Sequence, residues 1–503
     1  MSRDFVGALA CWEGMRTIAQ LKVLSNPSPQ PLEASRPDRA LEEIRRFLHD
    51  ELMKPKKGPE QFEQFERELH RRVMDLERVA VGECLEANDV NVEAVEVGGK
   101  VHRKVLRSTE TYMTAAGPVQ VMRTLYKDRS NEGSRAIAAL ELNVGVIAGF
   151  WTPLAAKLAE WVVAQMTPGK AEELFQRVGN MTPSKSTLDR LPKDVSERWE
   201  GNREQFEAIV RQQSMIPQDA RTVAVSLDGV LAPMDGTDKA AKKRATAAKG
   251  RPTKGPAGYR EVGCGTLSFC DEQGQALSVV RLARGPEHKK KTLKASLIAE
   301  LTEALAKRRD LRVVKLADGA ADNWTFLSEE LPEGPEVIDF FHAAEHLEHG
   351  LAAAYGEGTV ETRSKFAQLR VELLEAPDGV EKVIRSLAYL QKKFPRRARI
   401  ATELAYFRKH RTRMRYAQFT ADGLPIGSGV VEAACKSVVT QRLKLSGMRW
   451  SDEGAQAVLT PRALDQSGRF DQAWALVAAT YHAEVTTLHN VRPLPPPPAR
   501  RRG

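Results

Sequence analysis

Residues 222–228 read Thr-Val-Ala-Val-Ser-Leu-Asp, an apolar run that ends on a carboxylate. Residues 311–318 repeat this pattern as Leu-Arg-Val-Val-Lys-Leu-Ala-Asp. Short apolar runs rich in β-branched residues predict buried strands. A charge at the end of such a strand costs free energy unless it has a partner. The two runs therefore predict strands that bring Asp228 and Asp318 to one polar site.

The order of the elements around these two strands predicts the fold. Residues 221–451 carry three predicted strands, then a helix–strand–helix–strand series, and at the end a helix with an acidic residue. Up to that helix, the bounds in chain order are 222–228, Tyr259–Phe269, Gln275–Leu282, Leu293–Leu305, 311–317, Asn323–Leu331 and 337–341. This is the order of a ribonuclease H-like domain, a mixed β-sheet with flanking helices. The stretch at about 343–424 is predicted to be a mostly helical insertion before the last helix.

Glu432 is the third acidic residue of the predicted site. Gly427-Ser428-Gly429 opens the helix that carries it, and Lys436 follows four residues later, so an ordinary salt bridge within the helix is the alternative. Two strand-end aspartates and a helix-borne glutamate can hold two divalent cations roughly 3.5–4 Å apart for in-line attack on a phosphodiester. Three neighbouring aspartates are interpreted as solvated or capping residues: Asp235, Asp238 and Asp322.

The rest of the chain predicts a mixed α/β protein of several domains. Two helices are expected within residues 1–89, a small β-module at 90–134, and a helical region at 135–215. Within this region, a glycine-containing turn between two helix starts at about 167–200 fits a helix-turn-helix, and an ordinary helical hairpin is the alternative. Residues 452–503 are predicted to form a C-terminal helix and a disordered tail rich in proline and arginine.

The composition of the chain indicates which kinds of partner and cellular setting to expect. Its 503 residues include 76 basic and 66 acidic side chains, a net charge of +10 with a pI near 9.3, which favours an anionic partner such as nucleic acid. The five cysteines are scattered without CxxC spacing, so no zinc site is expected and a reduced, cytoplasmic setting is favoured. The sequence contains no apolar run of about 18 residues, so a membrane helix is not expected, and no secretion signal is evident.

Basic residues near the predicted acidic site are candidates for contacts with DNA phosphates. Trp450 either stacks on a base or belongs to the core. A charged solvated loop is the alternative for the stretch at 239–260. The candidates are Lys185 at the second helix of the helix-turn-helix, Lys242, Lys243, Arg244, Lys249, Arg251 and Lys254 in that loop, and Lys436, Arg442, Lys444 and Arg449 beyond Glu432.

Four strings carry a resemblance to a known family. They are Ser-Leu-Asp-Gly-Val at 226–230, Ala-Asp-Gly-Ala at 317–320, Asp-Phe-Phe-His-Ala-Ala-Glu-His-Leu at 339–347, and Pro-Ile-Gly-Ser-Gly-Val-Val-Glu-Ala-Ala-Cys-Lys at 425–436. These strings resemble the DDE transposases of bacterial insertion sequences, and the closest likeness is to the ISKra-type family. The Asp-x-x-His pattern at 339–342 is similar to a signature of transposases with helical insertions, including the hAT and Mutator groups.

The resemblance implies a reaction and its partners. Asp228, Asp318 and Glu432 would hold two Mg²⁺ ions, with Mn²⁺ as a substitute, for hydrolysis at transposon ends and attack of the freed 3′-OH on target DNA. Asp339 and His342 would support the metal ligands or position DNA. The implied partners are transposon-end DNA and target DNA, with a homodimer or higher oligomer on DNA in the bacterial cytoplasm, near the nucleoid.

Two further readings of the chain stay open at this stage. A metal-dependent nuclease that cuts without joining would share the same acids, and a regulator derived from an inactive transposase would bind DNA without chemistry. His346 and His349 follow His342 at helical spacing; without a cysteine partner they are interpreted as a polar helix surface. Relatives with a cysteine cluster near the N-terminus differ from this chain, so a zinc-dependent DNA contact is not expected there.

Overall fold

The computed structural model describes residues 35–131, 133–235 and 258–489. The chain separates into two compact units, Met1–Ala80 and Val81–Gly503. The first unit contains helix α1 (Arg36–Glu51) and the start of helix α2 (Pro59–Ala87). Ser35 caps α1 by accepting a hydrogen bond from the Asp38 N–H, and the Asp38 carboxylate accepts one from the Ser35 N–H in return. Phe47 and Phe65 stack between the two helices at 5.7 Å.

The described part of the second unit contains an antiparallel five-stranded sheet with the strand order β10-β1-β2-β3-β4. The long strands β2 and β3 are joined by a turn at Ala115-Ala116, and Tyr112 and Val121 lie in the core beneath them. A strand from the far end of the chain pairs with β1, so the predicted β-module is completed by residues that the sequence pattern assigned to the C-terminal region. The strands are β1 (Ala94–Val97), β2 (Lys100–Thr114), β3 (Gly117–Lys127), β4 (Ile137–Ala138) and β10 (Val485–Thr487).

Five helices follow the first four strands in the described chain, and the last four of them share one core. Pro153 and Pro168 stand at the first turns of their helices, where the missing N–H has no cost. Phe175 and Leu188 are buried between two of these helices, and Gly179 takes a φ of 81° in the turn that joins them. The helices are α3 (Ala139–Val144), α4 (Pro153–Gln165), α5 (Pro168–Val178), α6 (Lys185–Gly201) and α7 (Arg203–Gln213).

The second described sheet has the strand order β7-β6-β5-β8-β9. The first three strands are mutually antiparallel, whereas β8 pairs with β5 and β9 pairs with β8 in the parallel sense. The strands and helices follow one another along the chain in the order expected from the sequence. The elements are β5 (Thr222–Pro233), β6 (Tyr259–Cys270), β7 (Ala276–Arg284), α8 (Lys291–Lys307), β8 (Arg312–Ala317), α9 (Ala321–Glu329) and β9 (Glu336–Ile338).

Two glycines let helix α8 lie close to strand β6. A Cβ atom on Gly263 would come within 2.8 Å of Leu293, and one on Gly265 would come within 2.8 Å of Leu297. Both leucines are fully buried. A larger residue at either position would push α8 away from the centre of the sheet.

Helices dominate the chain between Asp339 and Gly429, as predicted for the insertion. Its first and last residues meet, because the Phe340 N–H donates to the Ile426 carbonyl at 2.9 Å. The helices are α10 (Phe340–Tyr355), α11 (Val360–Glu375), α12 (Gly379–Lys393), α13 (Ala398–His410) and α14 (Tyr416–Ala421).

The chain returns to the second sheet after the insertion. Helix α15 (Gly429–Ala434) continues through a π-helical turn (Cys435–Thr440) into the single turn α16 (Gln441–Leu443). Two further helices follow, α17 (Asp452–Gln466) and α18 (Phe470–Ala479). The proline- and arginine-rich tail from residue 490 onward lies outside the described residues.

Two local predictions are wrong. Residues 337–341 were expected to form one strand, but β9 ends at Ile338 and Asp339 caps helix α10, because its carboxylate accepts a hydrogen bond from the His342 N–H at 2.6 Å. Residues 452–503 were expected to form a C-terminal helix and a disordered tail, but two helices and strand β10 lie there, and three residues are too short for a periodic signal.

None of the helices in the described ranges is long and apolar enough to span a membrane.

Glu160 on α4 is an acidic residue buried without a hydrogen-bond partner among the described residues. It is 1% exposed, and neither carboxylate oxygen has a hydrogen-bond partner among the described residues. Val195, Trp199 and Phe470 line the cavity beside it. Burial raises the pKa of Glu160 from its ordinary value of 4.5 to about 8. The folded chain therefore holds a proton there at a pH where the unfolded chain has released it.

We expect Glu160→Gln to remove a pH-dependent loss of stability. Because the folded pKa lies above the unfolded one, the stability of the native protein is full below the unfolded pKa and falls as pH rises towards the folded value near 8. Urea unfolding should show Glu160→Gln gaining on the native protein by on the order of a few kcal/mol between about pH 5 and pH 8. The exposed Glu204→Gln is the control, and an equal pH trend in all three proteins would contradict the assignment.

Candidate active site

The sheet register brings Asp228 and Asp318 to the same edge. The last residue pair of the parallel β5–β8 ladder is Val225 with Lys315. Asp228 and Asp318 each follow three residues later along parallel neighbouring strands. The two carboxylates are therefore in register just beyond the ladder. Asp228 was expected to end its strand, but β5 continues to Pro233, because strand β6 pairs with it antiparallel along its whole length as far as Tyr259.

Asp228 is partly buried and has few polar partners of its own. Its Oδ1 accepts a hydrogen bond from the Gly229 N–H at 2.7 Å, and the Cys435 thiol lies 3.6 Å from its Oδ2. Burial raises the pKa of Asp228, the Gly229 hydrogen bond opposes this, and the charge of Asp318 raises it further. Burial and the charge of Asp318 thus disfavour the ionised form of Asp228, and a carboxylate in such a setting is well suited to bind a cation.

Asp318 is held by the start of helix α9. Its Oδ1 accepts hydrogen bonds from the Ala320 N–H at 3.1 Å and the Asn323 amide at 3.3 Å. The same Asn323 amide donates to the Leu227 carbonyl at 3.0 Å, immediately before Asp228. One buried side chain therefore contacts both acidic strands. Asp322, which was interpreted from the sequence as a solvated or capping residue, is exposed in the first turn of α9. It lines a cleft that also contains Asp228 and Asp318.

Glu432 lies on α15 and is exposed. Its Oε1 accepts a hydrogen bond from the Ser428 hydroxyl at 3.1 Å. Among the described residues, the Glu432 side chain therefore bonds to Ser428, and it forms no hydrogen bond with Asp228 or Asp318. Cys435, less than one turn further along the chain, reaches Asp228, so the helix that carries Glu432 packs beside strand β5. The ordinary salt bridge to Lys436 is not recorded among the described contacts.

Asp339 links the elements that carry Asp318 and Glu432. The carboxylate is fully buried and accepts hydrogen bonds from the His342 N–H and, through its other oxygen, from the Ser428 N–H. The Asp339 N–H donates to the Ala317 carbonyl at 3.0 Å, next to Asp318. His342 lies in the first turn of α10 with its Nδ1 3.4 Å from the Glu345 carboxylate. Asp339 therefore holds the segment before Glu432 against the end of β8.

A cleft of ≈ 710 Å³ opens at the two aspartates. Basic side chains share its wall with Asp228 and Asp318, so the cleft combines an acidic centre with a cationic rim. Lys290 forms an ion pair with Glu261 at 2.9 Å. The basic lining residues are Arg260, Lys289, Lys290 and Lys294.

Two of these lysines have an uncommon backbone conformation. Lys289 and Lys290 have φ values of 54° and 56°, in the left-handed region that residues other than glycine rarely occupy. Strain of this kind clusters at functional sites. Sequence analysis missed both residues, and the signal that could have indicated them is the Lys-Lys-Lys run at 289–291.

The predicted DNA-binding residues fall into three groups. Those of the basic loop lie outside the described residues. Lys185, Lys436, Lys444 and Arg449 are exposed. Trp450 donates from its indole N–H to the Leu443 carbonyl at 3.1 Å and packs against a buried cluster, as in the core alternative. The loop residues outside the description are Lys242, Lys243, Arg244, Lys249, Arg251 and Lys254.

Arg442 is a correction to the predicted set. Its side chain is 1% exposed, and its guanidinium donates to the Val163 carbonyl at the end of α4 and lies over the Trp450 ring. Burial lowers the pKa of Arg442 to about 10. The residue stabilises the last turn of a helix and is not placed to hold a DNA backbone.

Comparisons with known proteins give limited information. No protein-family model matches the chain, and no curated protein matches it. Among solved structures, the chain is similar to a Drosophila P element transposase strand transfer complex, with 11% sequence identity and a TM-score of 0.25. The likeness covers 64% of this chain and 80% of that one. At this level of similarity we infer neither the fold nor the function from it.

We expect Asp339→Ala to destabilise the protein more than the loss of an ordinary helix cap. The substitution leaves the buried N–H groups of His342 and Ser428 without their acceptor, at about 1–3 kcal/mol each. Thr359→Ala is the matched control, because Thr359 caps α11 at a more exposed site and its loss costs about 1 kcal/mol. Equal costs in urea unfolding would show that the contact with Ser428 contributes nothing.

Proposed function

We propose that the chain is a DNA transposase of the DDE type, related to the ISKra-type insertion-sequence enzymes. The observation that carries the proposal is the register of Asp228 and Asp318 on adjacent parallel strands, with Glu432 on a helix tied to the end of β8 through Asp339. The sheet order β7-β6-β5-β8-β9, with only the first three strands antiparallel, supports a ribonuclease H-like core for this chemistry. The helical insertion before Glu432 agrees with the same family.

Asp228, Asp318 and Glu432 would hold two Mg²⁺ ions, with Mn²⁺ as a substitute. Oxygen donors from three carboxylates fit these hard cations, and the raised pKa of Asp228 indicates a carboxylate whose charge lacks compensation. When bound, the ions would make water or a 3′-OH a competent nucleophile at neutral pH and stabilise the leaving oxygen. The protein's own part is to fix the ligands, through Asn323 for Asp318 and through Ser428 for Glu432.

DNA would enter along the basic rim of the cleft. Arg260, Lys289, Lys290 and Lys294 border the two aspartates, where they would neutralise backbone phosphates. Helices α5 and α6, with Lys185 exposed at the start of α6, would form the helix-turn-helix that binds transposon ends. Two ends must be held together for joining, so we propose a dimer or larger assembly on DNA.

We expect Asp228→Asn and Glu432→Gln each to abolish metal-dependent joining. A linear duplex that ends in the terminal DNA of the chain's own element is incubated with a supercoiled plasmid and Mn²⁺ or Mg²⁺. Each variant loses a charged ligand and should lower the joining rate by at least about a thousandfold. Gel analysis of cut and joined products measures the effect.

The matched controls are Asp235→Asn and Glu453→Gln, which make the same chemical changes at exposed residues outside the cleft. Both should keep native activity. Cleavage without joining by the native protein would identify a nuclease. DNA binding with neither activity, unchanged by the four variants, would identify a regulator and reject the proposed chemistry.

We expect Lys289→Asn to weaken DNA binding in a salt-dependent way. Asparagine tolerates the left-handed backbone at this position, so the change removes the charge while keeping the loop conformation. Fluorescence anisotropy over a series of salt concentrations should show the slope of log affinity against log salt falling by about one. Lys365→Ala on α11 is the control, and the same slope for native protein and Lys289→Asn would exclude a phosphate contact.

A further inference from the structure

A second cluster of metal-binding side chains lies in the helical insertion. His346 and His349 stand one turn apart on α10, and Glu403 comes from α13, which packs against α10. One ligand atom from each residue lies within 4.8 Å of the other two. Two imidazole nitrogens and a carboxylate oxygen form a donor set of zinc sites that leave a fourth position open. Sequence analysis interpreted the two histidines as a polar helix surface because they lack a cysteine partner, and it did not find Glu403, which is far away in the chain.

The carboxylate of the cluster is buried in a way that requires a cation. The Glu403 side chain is 1% exposed, and within the described residues its Oε1 is in an ion pair with Arg399 and in no hydrogen bond. Its Oε2 lies 2.5 Å from His346 Nδ1. A buried carboxylate is costly without a positive partner, so the site favours any cation that fits it.

Arg399 currently supplies that positive charge. Its Nε contacts Glu403 Oε1, and its Nη2 donates to His349 Nδ1 at 3.1 Å. Because a guanidinium can only donate, the lone pair of His349 Nδ1 points at this cation. The Arg399 side chain is 55% exposed, so it can leave the cluster without repacking the core. Its guanidinium therefore bridges the ligands where a metal ion would bridge them.

We propose that His346, His349 and Glu403 bind one Zn²⁺ ion in exchange for the guanidinium of Arg399. Typical Zn–N and Zn–O bonds of about 2.0–2.2 Å require the ligand atoms to move closer together by roughly an ångström, which side-chain rotation on two packed helices can supply. His349 is exposed and gives the ion a path of entry. The site is separate from the acidic cleft and does not depend on the proposed reaction there.

The ion would stiffen the wall behind Asp318. The His346 ring stacks on Tyr406 with centroids 3.7 Å apart. A Cβ atom on Gly319, next to Asp318, would come within 2.5 Å of the Tyr406 ring. Fixing His346 therefore fixes a ring that touches the backbone of a proposed catalytic loop, which assigns the ion a structural part.

The test is Zn²⁺ binding to the full-length, untagged protein after chelator treatment, in excess Mg²⁺ so that the acidic cleft does not compete. Isothermal titration should give one Zn²⁺ per chain for the native protein. Affinity should fall by on the order of tenfold or more in His349→Ala and in Glu403→Gln, and should rise in Arg399→Gln. His49→Ala, an exposed histidine of the first unit, should bind as the native protein does.

Cobalt provides a second readout that does not depend on the stability of the variants. Co²⁺ in the native site should show the intense visible absorption of a four-coordinate ion, absent in His349→Ala and displaced by Zn²⁺. Native protein that binds no Zn²⁺, or binds it as tightly after His349→Ala, would overturn the proposal. Joining activity plays no part in either measurement, so failure here leaves the proposed function untouched, and the reverse also holds.

Discussion

The buried carboxylate of Asp339 is the constraint on which the candidate site depends. It accepts from the first turn of α10 with one oxygen and from the segment before α15 with the other, while its own N–H pairs with the end of β8. Three elements distant in sequence are thereby joined at one residue. Charge-assisted hydrogen bonds of this kind are stronger than neutral ones, and in a buried setting they leave few alternative geometries. The position of Glu432 follows from this arrangement.

Buried charges elsewhere in the second unit are treated in different ways. Glu300 and Arg469 form a buried pair at 2.8 Å. Arg462 donates to the carbonyls of Ala164 and Val438, so a cation is satisfied by the ends of backbone segments and not by an acid. Glu160 has neither kind of partner. The first arrangement joins α8 to the start of α18, and the second holds α4 and the π-helical turn after α15 together, while Glu160 leaves a local weakness on α4.

Sequence pattern predicted the strands and helices around the candidate site because their apolar periodicity is set by burial. It could place Asp228 and Asp318 on neighbouring strands, but not the continuation of β5 past Asp228, which follows from its antiparallel pairing with β6. Asp339 was assigned to a strand because it lies in the largely apolar run Val-Ile-Asp-Phe-Phe. The sequence alone does not show whether Asp339 belongs to the strand or caps the next helix, and the hydrogen bond from the His342 N–H decides for the cap. Arg442 shows that a basic residue can be a helix cap in the core, which composition does not reveal.

The hydrogen bond from Phe340 to Ile426 has a consequence for how the molecule can vary. The helical insertion leaves the sheet and returns to it at adjacent points, so its two ends are closed like those of a loop. The positions of the acids on either side therefore do not depend on how many residues the insertion contains. The entropy cost of closing a loop grows only slowly with its length. Helices α11 and α12 carry buried residues of the core that the insertion shares with the sheet, so changes of length fit best in the connections between the helices. The contacts of Asp339 and the hydrogen bond between Phe340 and Ile426 fix the two ends of the insertion.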